Sequence, residues 1–297
     1  MPTVDMPLEE LKLYQGTNPC PNDFDAFWDH SLEEVYGIDP QAEFLPYDYP
    51  SQIAEMYDLW FTSTKGARIH GRVAVPKNLT QKAPATLHFH GLFGRCENWK
   101  NLIVYASQGF VAVTMDTRGQ GGLSEDVGGV PGTTITTPFM RGIEGKPEGL
   151  LVRDIFLDTV QLARVIMARD DVDETRVGVY GGSQGGGMSV ACAALVPKIE
   201  LCAPTYPYMS DYRRVWNMDL DKVAYDGIQY WFRWFDPHHE REDEIFTKLG
   251  YIDIQFLAPR VRATVMMTTG LMDTVCPPST QFAMYNKIIA PKSVLIY

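Results

Sequence analysis

A five-residue turn, Gly181-Gly182-Ser183-Gln184-Gly185, joins the apolar run Arg176–Tyr180 to the small-residue run Gln184–Leu195. Few sequence features constrain a fold more tightly. A serine at the tip of a strand-to-helix turn adopts backbone angles that side chains resist. Its neighbours two positions away must then be nearly bare. Gly181 and Gly185 meet that need. The turn also aims the free N–H groups of the helix N-terminus at the serine, where negative charge would develop. Strand, turn and helix together point to Ser183 as a nucleophile. A glycine-rich turn without chemistry is the plain alternative, and the flanking elements weigh against it.

The rest of the chain alternates in the way such a turn requires. Thr86–Phe89, Val111–Met115, Ile199–Ala203, Ala263–Thr269 and Ser293–Tyr297 read as buried strands, and Ala67–Val75 as a half-buried antiparallel one. Asn98–Ser107, Gln184–Leu195 and Pro278–Ile289 read as helices between them. Leu150–Arg169 reads as a long amphipathic helix with Leu151, Ile155, Leu157, Val160, Leu162, Val165 and Ile166 inward. The glycine-rich stretch from Gly119 to Gly149 reads as mostly loop. Alternating β and α units imply a doubly wound, mostly parallel sheet with helices on both faces. We expect one domain over residues 1–297. Residues 1–50 would form a helical extension, with Phe24, Phe27, Trp28 and Leu32 on one helix face, and 208–260 a helical insertion near the site. Strand signals begin at Tyr57.

Bulk properties exclude several partners. The net charge of −11 and the lack of any basic run disfavour nucleic acid and anionic membrane. No apolar stretch is long enough to span a bilayer, and the first residues lack the basic and apolar regions of a signal peptide. The five cysteines are scattered, with no CxxC pair, so neither a disulfide framework nor a zinc site is expected. A reduced, cytoplasmic compartment follows as the expectation.

Two further segments join Ser183. His90-Gly91-Leu92 follows the strand Thr86–Phe89, and the loop there ordinarily donates an N–H to the oxyanion. Leu92 N–H and Gln184 N–H are the candidate donors. His90 reads as a hydrogen-bonding residue; a metal pair with His88 has no third ligand. Asp273 follows the strand Ala263–Thr269, where an acid that orients a histidine belongs in the chain order Ser, Asp, His. All six histidines precede Asp273, so none stands where that order puts the base.

With these blocks in view, the chain resembles the carbohydrate esterase family 7 enzymes, acetyl xylan esterases and cephalosporin-C deacetylases. The resemblance runs over essentially the whole chain. It rests on MDTRGQGGLSED at 115–126, on GGSQGG at 181–186, and on blocks such as GLMDTVCPPSTQFAMYNKI. It implies an α/β-hydrolase fold and a triad of Ser183, Asp273 and a histidine in a terminal His-Glu motif. The oxyanion donors would be Leu92 and Gln184 N–H, with no metal or organic cofactor. The family usually carries Tyr where Leu92 stands; the backbone donor survives that change, while the side chain beside the acyl group differs. The motif Arg118-Gly119-Gln120 would act as a structural brace, with Arg118 paired to a carboxylate. The resemblance also implies small acetylated substrates and a doughnut-shaped homohexamer. The histidine is expected in a tail beyond Tyr297; a chain ending there would keep only weak residual catalysis, on the order of 10³-fold over water. Two other readings stand beside this one: a dienelactone-hydrolase-like or peptidase-like enzyme, and a catalytically impaired binding or assembly subunit.

Overall fold

Short apolar runs separated by helices assemble into one nine-stranded sheet in the order β1-β2-β3-β5-β4-β6-β7-β8-β9. The computed structural model describes residues 4–129, 137–220 and 222–297. The strands are β1 (Glu43–Pro46), β2 (Ala54–Thr62), β3 (Arg68–Pro76), β4 (Ala83–Phe89), β5 (Val111–Met115), β6 (Val172–Gly182), β7 (Leu201–Thr205), β8 (Thr264–Thr269) and β9 (Lys292–Ile296). From β5 onward all neighbours pair in parallel, and β1, β2 and β3 extend the sheet antiparallel.

The helices are α1 (Leu8–Leu11), α2 (Phe24–Tyr36), α3 (Trp99–Ser107), α4 (Leu151–Met167), α5 (Gln184–Leu195), α6 (Tyr212–Asn217), α7 (Gly227–Phe235), α8 (Glu242–Gly250), α9 (Ile254–Leu257) and α10 (Pro278–Lys287). Successive strand residues point to opposite faces. Thus Ala74 and Ala112 meet Trp99, Leu102 and Ala106 of α3 on one face. Their neighbours Val73, Val111 and Val113 join the larger core on the other face, with Leu157 and Val160 of α4 and Met188 and Val190 of α5. The sheet is therefore covered on both sides, as the alternation implied.

Three expectations change. Strand structure begins before Tyr57. β2 starts at Ala54, and the N-terminal extension contains β1, which pairs Phe44 with Leu59 at the sheet edge. β1 is four residues long and mostly exposed, so it lacks an apolar alternation to announce it. The nucleophile strand is longer than Arg176–Tyr180, running through Gly182. Finally, α4 is buried almost all round, including Arg153, Asp154, Asp158 and Gln161. Its outer face is covered by α2 and by the turn after β2. Arg153 bonds Ser31 Oγ at 2.9 Å and pairs with Glu34, Lys65 pairs with Asp154 at 2.6 Å, and Gln161 donates to Thr62 O at 3.0 Å. Of the expected Gly119–Gly149 loop, residues 130–136 lie outside the described residues, as does 221 in the 208–260 segment.

Candidate active site

Ser183 sits at φ 55° and ψ −120°, between the last residue of β6 and the first of α5. Two neighbours show why the turn demands glycine. A Cβ on Gly185 would collide with the carbonyl of Phe89, and one on Gly181 would collide with that carbonyl and with the Gly185 backbone. Hydrogen bonds lock the strained residue. Ser183 N–H donates to Thr205 O at 2.9 Å, and its carbonyl accepts from Gly187 N at 3.1 Å and Tyr208 N at 3.0 Å. The 208–260 segment thus begins against the turn.

The two candidate oxyanion segments are tied together by one side chain. Gln120 donates from Nε2 to Gln184 Oε1 at 2.7 Å, while its Oε1 accepts Phe93 N–H at 2.8 Å and Gln184 Nε2–H at 3.1 Å. It holds the loop after β4 against the start of α5. Among the described residues neither Leu92 N–H nor Gln184 N–H has an acceptor. His90 shapes the same loop. Its Nε2 accepts Thr117 N–H at 3.0 Å, so Nδ1 carries the proton and donates to Gly91 O at 2.7 Å. Burial lowers its pKa, against the Gly91 bond and the Asp116 charge, which raise it.

Asp273 lies just past β8, and its Oδ1 accepts the N–H groups of Val275 and Cys276 at 2.8 and 2.9 Å. Its Oδ2 has no donor among the described residues. The turn buries Cys276, 1% exposed, close to Ser183. Burial pushes that thiol pKa up, the Asp273 charge adds to the rise, and the Ser183 contact opposes it. Four more histidines are engaged elsewhere. His70 bonds Asp116 and Asp58, His88 contacts Thr114, and His30 and His239 lie beside Glu33 and Glu242 on the surface.

Arg118 is 0% exposed and grips Asp158 of α4 through Nε at 2.7 Å and Nη2 at 2.5 Å. Burial lifts the Asp158 carboxyl pKa and the guanidinium counters it. Arg118, two residues before Gln120, is therefore paired to a carboxylate. Gly119 follows at φ 71°, a left-handed angle that lets the chain double back.

Sequence reasoning missed Asp116. Its Oδ2 accepts His70 Nδ1–H at 2.6 Å and Leu123 N–H at 2.9 Å, and its Oδ1 accepts Cys96 N–H at 2.5 Å. Burial would raise its pKa, but these donors outweigh it and hold the carboxyl at about 2. Asp116 therefore fastens the loop carrying Leu92 to the loop carrying Gln120. Asp116, His70 and Cys96 could in principle surround a cation. However, at 2.6 Å the His70 and Asp116 atoms are already joined by a hydrogen bond, with no room for an ion between them. The signal available in the sequence was only that Asp116 stands two residues before Arg118.

Comparisons with known proteins agree on the family. The acetyl xylan esterase (AXE1) family model matches residues 1–297. The chain is 28% identical over 290 residues to the acetyl esterase Axe7A of Xylanibacter ruminicola, covering 93% of this chain and 62% of that relative's length. Among solved structures, acetyl xylan esterase 1 of Thermoanaerobacterium sp. JW/SL YS485 is 50% identical with a TM-score of 0.97, covering 99% of this chain and 92% of that one. The acetyl xylan esterase of Paenibacillus sp. R4 is 34% identical with a TM-score of 0.94, covering 98% and 93%. An acylaminoacyl peptidase of Pyrococcus horikoshii, 17% identical with a TM-score of 0.55 over 83% of this chain and 37% of that one, shares the fold alone.

Proposed function

Because the chain belongs to the acetyl xylan esterase family, we propose that it is a serine esterase that removes acetyl groups from small esters, acetylated xylo-oligosaccharides foremost. The observation that carries this reading is the geometry at Ser183. A strained nucleophile turn is tied through Gln120 to the loop after β4. The two candidate donors, Leu92 and Gln184 N–H, have no acceptor among the described residues, and Asp273 follows β8, two strands over in the same sheet.

Ser183 Oγ attacks the acetyl carbonyl carbon, and its proton passes to the triad histidine, proposed here to lie in a segment after Tyr297. Negative charge gathers on the former carbonyl oxygen, where Leu92 and Gln184 N–H donate to it. That histidine then protonates the departing sugar alkoxide, leaving acetyl-Ser183. Water, deprotonated by the same histidine, repeats the addition and frees acetate. Asp273 Oδ2 accepts the imidazole N–H and fixes its tautomer. None of these steps calls for a metal or organic cofactor.

Acetate release from acetylated xylotriose tests the reading. Wild-type protein should turn over, and Ser183→Ala should lose at least about 10³-fold in kcat. Equal rates would refute it. Cephalosporin C is a further proposed substrate, measured in the same assay. The proposed homohexamer would show in light scattering as six times the mass of one protomer. Five cysteines without a disulfide partner support the proposed cytoplasmic setting.

A further inference from the structure

Two exposed aromatic residues stand on the loops that follow the strands on either side of the nucleophile strand, and the reaction above uses neither. Neighbouring strands run in the order β4, β6, β7, β8. The residues just beyond their carboxyl ends therefore stand in a row: Phe93, Ser183, Tyr206 and Asp273.

Tyr206 follows β7 directly. A Cβ placed on Gly182, the residue before the nucleophile, would lie 3.2 Å from Tyr206 Oη and 3.3 Å from Cε2. The phenol ring thus lies over the nucleophile turn. On the far side, Phe93 follows the candidate donor Leu92, with its N–H held by Gln120. Tyr206 is anchored in the same way, its N–H donating to Thr268 O at 2.7 Å.

Both residues hold left-handed backbone angles, φ 36° at Tyr206 and φ 58° at Phe93. Neither is glycine, so both conformations carry strain. A strained aromatic ordinarily recovers that strain by packing in a core. These two do not: Tyr206 is 43% exposed and Phe93 67%. The backbone bonds that fix them therefore hold two rings in solvent, one over the nucleophile turn and one on the loop after the adjoining strand β4.

The geometry points to Phe93 and Tyr206 as specificity-determining residues, a pair of platforms for the sugar leaving group. A pyranose offers one face of C–H bonds and a rim of hydroxyls. The C–H face suits the electron-rich face of an aromatic ring, and the Tyr206 hydroxyl can exchange hydrogen bonds with the rim. The platforms would favour acetylated sugars over acetates of small alcohols. This inference rests on the esterase reading, which it deepens.

The test uses the full protein with Phe93→Ala, Tyr206→Ala and Tyr206→Phe. Acetate release is followed by pH-stat with acetylated xylotriose and with ethyl acetate, whose leaving group is too small to reach a platform. Each alanine variant should lose about fivefold or more in kcat/KM on the sugar ester and less than about twofold on ethyl acetate. Tyr206→Phe should restore most of the sugar rate. Calorimetric binding of xylotriose to the Ser183→Ala protein reads the platforms without turnover. There, added Tyr206→Ala should raise Kd about fivefold. An equal fall on both esters, an unchanged Kd, or a changed oligomeric mass in place of changed selectivity would each overturn the proposal. Failure of wild type to hydrolyse either ester would refute the esterase reading instead, and the binding arm would still decide the platforms.

Discussion

Replacing Arg118 by Met tests whether the brace beneath the site is an ion pair in more than appearance. Arg118 and Asp158 are each 0% exposed, and the guanidinium gives Asp158 two hydrogen bonds at 2.7 and 2.5 Å. The substitution leaves a carboxylate buried without those donors. Breaking a buried pair from one side costs about 3–5 kcal/mol. Unfolding entropy of about 2.1 cal/mol/K per residue, over 297 residues, gives about 620 cal/mol/K. Each kcal/mol then moves Tm by about 1.6 °C, and Arg118→Met should lower it by about 5–8 °C. Burial already raises the Asp158 pKa in the folded state, and without Arg118 it rises further. A raised folded pKa gives a contribution that is intact below the unfolded value and is lost as pH climbs through the folded one. The deficit should therefore be larger at pH 8 than at pH 5. Differential scanning calorimetry at one scan rate, at both pH values, measures it. Arg118→Met combined with Asp158→Leu removes both charges and should recover most of the loss. A double variant no more stable than the single one, or a single variant within about 2 °C of wild type, would refute the argument.

Two other outcomes follow from the same network. Gln120→Leu removes the side chain that joins Phe93 N–H to Gln184. On ethyl acetate it should lower kcat about tenfold with KM nearly unchanged, because the loosened donors act on the oxyanion and not on the ground state; a rise in KM alone would count against it. Asp253 is fully buried, and burial together with the nearby Asp211 charge raises its pKa to about 8. Its contribution to stability is whole below the unfolded carboxylate pKa and declines as pH rises to 8. Wild type should therefore lose stability toward pH 8 relative to Asp253→Asn, by up to about 1.4 kcal/mol per pH unit, in urea titrations. Parallel pH profiles for the two proteins would sink this.

What could be read in the sequence and what could not divide along a physical line. The glycines around Ser183 were legible because a strand-to-helix turn with a serine at its tip calls for bare neighbours whatever packs against it, although the carbonyl that both Gly181 and Gly185 clear, Phe89 O, comes from the adjoining strand β4. The same holds for the parallel strands β5 to β8, whose apolar runs need nothing beyond themselves to be recognised. The edge strand β1 was not legible, since it owes its form to pairing with β2 and not to its own four residues. Nor were the buried charges of α4. Arg153, Asp154 and Asp158 give the helix an amphipathic pattern, and a polar face is ordinarily solvated. It becomes interior only because α2 and Arg118 arrive from 119 and 40 residues away in the chain to meet those charges.

Asp116 makes the same point for the site. Its role depends on His70, Cys96 and Leu123, brought together by β3, the loop after β4 and the turn after β5. No local pattern marks a residue whose partners are set by strand order. The nucleophile is thus specified by its neighbours in sequence, whereas the candidate donors around it are held by neighbours in space. Substitutions in the second group should therefore shift rate and selectivity while leaving the identity of the reacting serine untouched.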